Sequence, residues 1–136
     1  MNRDELITEL KRDEGIVLKA YQDTEGIWTI GIGRNLEHVG VSIAEAEFML
    51  SNDIDTAIDE LNRAFEWFDD IDEVRQRVLV NMAFNLGITR LKGFSKFLAA
   101  MKAGDWETAA VEMMDSRWSK QVGARAERLR DMVLSG

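Results

Sequence analysis

The segment from Ser42 to Phe65 limits the possible folds more than any other stretch of the chain. Ser42 and Glu45 form a capping-box pair, and Leu50, Ile54, Ile58, Leu61 and Phe65 then recur at steps of four, four, three and four. That spacing predicts one long helix over 42–65, which divides the chain into a shorter N-terminal part and a longer C-terminal part. In the N-terminal part, Asn2 and Glu5 cap a first amphipathic helix that Gly15 ends. The runs "VLKAY" and "IWTIGI", between Val17 and Ile32, are apolar and β-branched, and the polar turn "QDTEG" joins them as a hairpin. A hairpin of this size cannot bury its own face and must lean on a neighbouring helix.

After the long helix every segment reads as helical. Asp70 is expected to cap a helix from Val74 to Leu86, apolar nearly all round and so central, which Gly87 ends. Asn81 and Asn85 are its polar exceptions, open to a reading as structural pins or as ligand contacts. "FSKFLAAMKAG" reads as a short helix closed by Gly104 and "DWETAAVEMM" as another capped by Asp105. "SRWSKQ" is a connector or short turn, and "ARAERLRDMVL" a last, basic helix. Phe94, Phe97, Trp106 and Met113 are expected in the core. The class is α+β in a single domain of two lobes: residues 12–41 a small β lobe, 1–11 and 66–136 a helical lobe, and 42–65 the helix between them. Two lobes imply a cleft.

Composition narrows the chemistry. A chain of 136 residues, 46% hydrophobic, can bury a core without staples. It has no cysteine and one histidine, His38, which excludes disulfides and thiolate chemistry and argues against a histidine triad or zinc site. Catalysis, if present, is expected to run on carboxylates. The net charge of -8 argues against nucleic acid as a partner. A local cationic patch does run from Arg117 through Lys120, Arg125 and Arg128 to Arg130, open to a plain reading as solvated helix faces. The N-terminus lacks the apolar stretch of a secretory signal, and no segment approaches a membrane span, so a soluble product made in the cytoplasm is expected.

Glycoside hydrolysis needs one carboxyl to protonate the leaving oxygen and a second carboxylate to activate water or attack the sugar. Glu14 at a helix end and Asp23 in a turn suit this if the chain doubles back. Each also has a plain reading, as a solvated helix residue and an ordinary turn former. The order "DEG", Leu18, Tyr21, "DTEG", Thr29, "IGIG" resembles the catalytic stretch of the phage-type lysozymes, glycoside hydrolase family 24, the endolysins of T-even-like phages. "AEAEFMLSNDIDTAI", "VRQRVLVNMAFNLG", "GFSKFLAAM", "WETAA", "SRW" and "RAERLR" extend the resemblance over nearly the whole chain.

The resemblance implies a lysozyme-like fold and an inverting muramidase that cuts the β-1,4 bond between N-acetylmuramic acid and N-acetylglucosamine in peptidoglycan. By position, Glu14 would be the general acid, Asp23 would hold and activate water, and Thr29 would position it. Arg125 would reach and orient the glutamate, while Phe84 and Asn85 would line the cleft beside the sugar. No metal or cofactor is implied. The enzyme would be a monomer, without stable membrane insertion, released to the cell wall through a holin-type pore. The alternative is a lysozyme-like domain that docks on the wall without cutting it; a lytic transglycosylase would leave Asp23 and Thr29 unexplained.

Two departures from the family pattern carry expectations of their own. Where many members have histidine after the Gly-rich run, this chain has Arg34, expected to form an ion pair with Asp53 that outlasts a histidine pair at high pH. The acidic balance is expected to slow encounter with an anionic wall at low salt. The short segment between Arg34 and Ser42 implies a third strand that is reduced or missing.

Overall fold

The computed structural model describes residues 1–136 as eight helices and one small antiparallel sheet. Two compact units divide the chain, Met1–Phe48 and Met49–Gly136, and the division falls inside the longest helix.

The first unit begins with α1, Arg3–Glu14. Asn2 caps it by accepting the Glu5 amide at 3.1 Å, and Gly15 ends it, its N–H donating to the Lys11 carbonyl. Strands β1 (Val17–Gln22), β2 (Trp28–Gly31) and β3 (Arg34–Asn35) come next in the order β1-β2-β3, all antiparallel. Tyr21 pairs with Thr29 and Gln22 with Trp28, but Val17 pairs with Gly31, so the register slips midway along β1. Thr29 and Ile30 pair with Asn35 and Arg34 on the other side. The third strand is only two residues long, as the short segment before Ser42 implied. Beyond it the chain turns on Asn35, whose Oδ1 accepts the amides of Glu37 and His38. Helix α1 falls with the sheet in this unit, whereas the sequence grouped residues 1–11 with the helical lobe.

Helix α2, Ile43–Ala64, starts with the expected capping box: the Glu45 amide donates to Ser42 Oγ at 3.1 Å and the Ser42 amide to Glu45 Oε1 at 2.9 Å. A 3-10 turn at Phe68–Asp70 leads into α3, Glu73–Leu86. The cap of α3 is Asp72, which accepts from the Arg75 amide, and not Asp70, which ends the 3-10 turn two residues earlier. Short helices α4 (Ile88–Lys92), α5 (Ser95–Ala103), α6 (Trp106–Met114), α7 (Arg117–Val122) and α8 (Ala124–Ser135) complete the second unit.

Helix α3 is central to that unit, with Val78, Leu79 and Met82 fully buried. Around it pack Leu61, Phe97, Met101, Met113, Leu129 and Val133. Phe94 makes edge contacts with both Phe97 and Trp118, at 6.4 and 6.2 Å between centroids. Phe97 and Met113 are in the core as expected, while Phe94 and Trp106 pack against its edge. Arg75 fastens α3 to α8: its Nε and Nη2 donate to the Val133 carbonyl at 2.9 and 2.7 Å, and its guanidinium lies 4.1 Å above the Trp106 ring.

Candidate active site

Glu14, Asp23 and Thr29 all belong to the first unit, and β2 links their surroundings. Asp23 sits in the turn that feeds β2. Its Oδ1 accepts the amides of Glu25 and Ile27, at 2.8 and 2.9 Å, and its own amide donates to the Ile27 carbonyl. This Asx-type turn closes the hairpin and fixes the carboxylate, with both bonds on one oxygen and Oδ2 left for other work. Thr29, near the start of β2, is the one buried residue of the unit, and its Oγ1 donates to the Ile27 carbonyl at 2.9 Å. That bond spends the hydroxyl proton inside the turn and leaves lone pairs free to accept.

Glu14 lies toward the other end of the strand. It is the last residue of α1, its side chain is exposed, and its carboxyl lies against Gly33 in the turn between β2 and β3. A carboxylate thus attends each end of a four-residue strand, with the threonine between them.

Arg34 does not pair with Asp53. Its Nη2 lies 2.7 Å from Glu45 Oε2, and its Nη1 donates to Glu45 Oε1 and to the Gly40 carbonyl, each at 2.9 Å. Glu45 is the better partner because the capping box already fixes its side chain and its two oxygens meet the planar guanidinium fork. The hydrogen bond from Arg34, helped by the Ser42 amide and hydroxyl, holds the Glu45 carboxyl at about 2, well below its ordinary 4.5. The same bond raises Arg34 above the usual guanidinium value. The pair ties β3 and the loop after it to the start of α2. The sequence pattern credits Glu45 with the capping box alone, but one carboxylate has enough lone pairs for both duties.

The remaining expected residues belong to the second unit. Phe84 and Arg125 line an open groove of about 540 Å³, together with Ile54, Ile58, Val80 and Asn81. The Phe84 ring is 48% exposed, enough to offer a face. Arg125 is held by Asn81: its Nε donates to Asn81 Oδ1 at 2.9 Å and its Nη2 to the Asn81 carbonyl at 3.3 Å. Asn85 is not part of that lining; its Oδ1 accepts the indole N–H of the buried Trp118 at 2.8 Å. The two polar exceptions on α3 are therefore both pins within this unit, and Asn81 in addition faces the groove.

The chain matches known proteins along most of its length. The phage lysozyme family matches residues 11–132 of the chain. The chain is 34% identical to part of the pre-baseplate central spike protein Gp5 of Enterobacteria phage T4, over 93% of its own length and 27% of that protein. It is 28% identical to probable T4-type lysozyme 1 of Dictyostelium discoideum, covering 93% of the chain and 92% of the relative. An endolysin of Acyrthosiphon pisum secondary endosymbiont phage 1 is 32% identical over 82% of the chain and 75% of its own length. The chain therefore spans about a quarter of the spike protein but most of the other two. Its matched residues include Glu14, Asp23, Thr29 and the whole of the helical unit up to Met132, and this chain belongs to the phage lysozyme family of hydrolases.

Proposed function

We propose that this protein is a muramidase that hydrolyses the β-1,4 bond from N-acetylmuramic acid to N-acetylglucosamine in bacterial peptidoglycan, with inversion at the anomeric carbon. The observation that carries this reading is the pair of carboxylates at the two ends of β2, with the buried Thr29 in the strand that joins them. Glu14, exposed at its helix end, gives its proton to the departing glycosidic oxygen as the bond to the anomeric carbon breaks. Asp23, steadied through Oδ1 by two amides, uses Oδ2 to take a proton from the attacking water. Thr29 accepts a hydrogen bond from that water, because its own proton is engaged by Ile27. Water between the two groups is what an inverting enzyme requires, with carboxyls roughly 6.5–9.5 Å apart.

In this reading Phe84 offers its half-exposed ring to an apolar sugar face and Arg125, braced by Asn81, offers a fixed donor to the glycan. The biological role that fits is lysis of a bacterial host, with a monomeric enzyme reaching the wall through a holin-type pore. No helix is long and apolar enough to cross a membrane.

The test is digestion of isolated peptidoglycan by the native protein and by Glu14→Gln, with the released ends identified by mass spectrometry. Reducing muramic acid ends from the native protein alone are expected. Anhydromuramic ends would assign a transglycosylase, and binding without release would leave a docking domain.

A further inference from the structure

Two glycines, Gly31 at the end of β2 and Gly33 in the turn that follows it, are not equivalent. Gly31 and Gly33 hold φ of +71° and +70°, where a residue with a Cβ is strained, so substitution of either carries a similar backbone penalty. Their surroundings differ. A Cβ on Gly31 meets nothing within 4 Å, whereas one on Gly33 comes to 2.7 Å from Glu14 Oε2, 2.9 Å from its Cδ and 3.2 Å from its Cγ. Atoms cannot share that space, and the exposed end of a flexible glutamate gives way before the backbone does. Opening the 2.7 Å approach to an ordinary contact of 3.4 Å moves the carboxylate oxygen by about 0.7 Å.

We propose that Gly33 is a positioning residue for the hydrolysis: its bare Cα is the seat on which the Glu14 carboxyl rests, and it sets where the acid proton is presented. This inference rests on reading Glu14 as the general acid. Such an acid must stand within roughly 2.6–3.2 Å of the oxygen it protonates. A misplacement of about 1 Å is enough to cost on the order of 10²-fold in rate. Gly31 supplies the internal control, since it stands two residues away with the same φ but without the contact.

The experiment measures kcat and KM on soluble peptidoglycan fragments for the native protein, Gly33→Ala, Gly33→Asn and Gly31→Ala, each checked by thermal unfolding. Asparagine is included because it tolerates left-handed φ better than other L-residues while keeping the offending Cβ, so one Gly33 variant should fold even if alanine does not. Both Gly33 variants are expected to lose kcat by roughly 10²-fold with little change in KM. Gly31→Ala is expected to keep kcat near the native value. In parallel, the ¹³C resonance of the Glu14 carboxyl should move in the Gly33 variants and stay in Gly31→Ala. A folded Gly33 variant with native kcat, an equal loss in Gly31→Ala, or an unmoved Glu14 resonance each overturns the proposal. Glu14→Gln separates the two levels. Native turnover in that variant sinks the general-acid reading itself, whereas lost turnover beside fully active Gly33 variants sinks only the seat.

Discussion

Each of the two units of this chain is held together by a different kind of force. In Met49–Gly136 a continuous apolar cluster runs from Leu61 through α3 to Val133, and polar side chains serve mainly as fasteners at its edge. In Met1–Phe48 the one buried residue is a threonine, and order comes from caps, an Asx turn, glycines and the Arg34–Glu45 pair. The three residues read as catalytic all lie in the second kind of scaffold. Hydrogen-bonded turns fix a carboxylate where solvent and substrate can reach it, which a close-packed core cannot do. Regions with few buried apolar contacts are also the ones that open most easily, so the proposed chemistry falls on the softer of the two units.

That contrast is open to direct attack. Leu79→Ala should lower the unfolding free energy by about 2–5 kcal/mol, because it hollows a fully buried site. The corresponding change in the sheet, Leu18→Ala, removes a side chain that is 84% exposed and should stay within about 0.5 kcal/mol. Denaturant melts of the two variants would erase the distinction if they moved equally. Next in size, Asn85→Ala strips the partner from the Trp118 indole and should cost about 1–3 kcal/mol. A fall in activity without that loss of stability would instead make Asn85 a sugar contact.

A smaller effect should appear in acid. The folded Glu45 carboxyl sits at about 2 rather than 4.5, so its contribution is complete above the ordinary value and is lost as pH falls from 4.5 toward 2. Thermal midpoints across that window should fall more steeply for the native protein than for Glu45→Gln, and parallel curves would show that the pair does nothing for the first unit. The smallest expected effect is on rate. Met1–Phe48 holds ten acidic residues against five basic ones, so the unit proposed to bear the chemistry is the more repelled by an anionic wall. Activity should rise a few-fold between low salt and about 0.15 M, as the Debye length shrinks to roughly 8 Å. A steady decline from the lowest salt would contradict this.

Much of the fold is legible in the sequence because the signals are local. The cap at Asn2, the capping box at Ser42, the apolar steps along α2, and the terminators Gly15, Gly87 and Gly104 all act within one or two helical turns. The cap of α3 is misplaced by pattern because Asp69, Asp70 and Asp72 all stand before the helix, and only the 3-10 turn at Phe68–Asp70 decides among them. Helix α4 is a single turn and leaves no periodic signal to read. Within the candidate site, residue types and their order mark Glu14, Asp23 and Thr29, but partners are another matter. Arg34 finds Glu45 across a loop, and Arg125 finds Asn81 at a separation of 44 residues. Such choices depend on which carboxylate or amide the fold holds still, and spacing alone does not encode them. The seat under Glu14 is hidden for the same reason: the motif shows two glycines, and only the backbone shows which one a carboxyl leans on.

On this reading catalysis resides in the sparsely packed unit while stability resides in the other. Measuring both properties on one variant, Glu14→Gln, tests it most directly. An exposed, isosteric change should leave the thermal midpoint essentially unmoved and lower the release of muramic acid ends by roughly 10²–10⁴-fold, the usual share of a general acid. A variant that kept its activity, or that lost activity only together with its fold, would contradict the account.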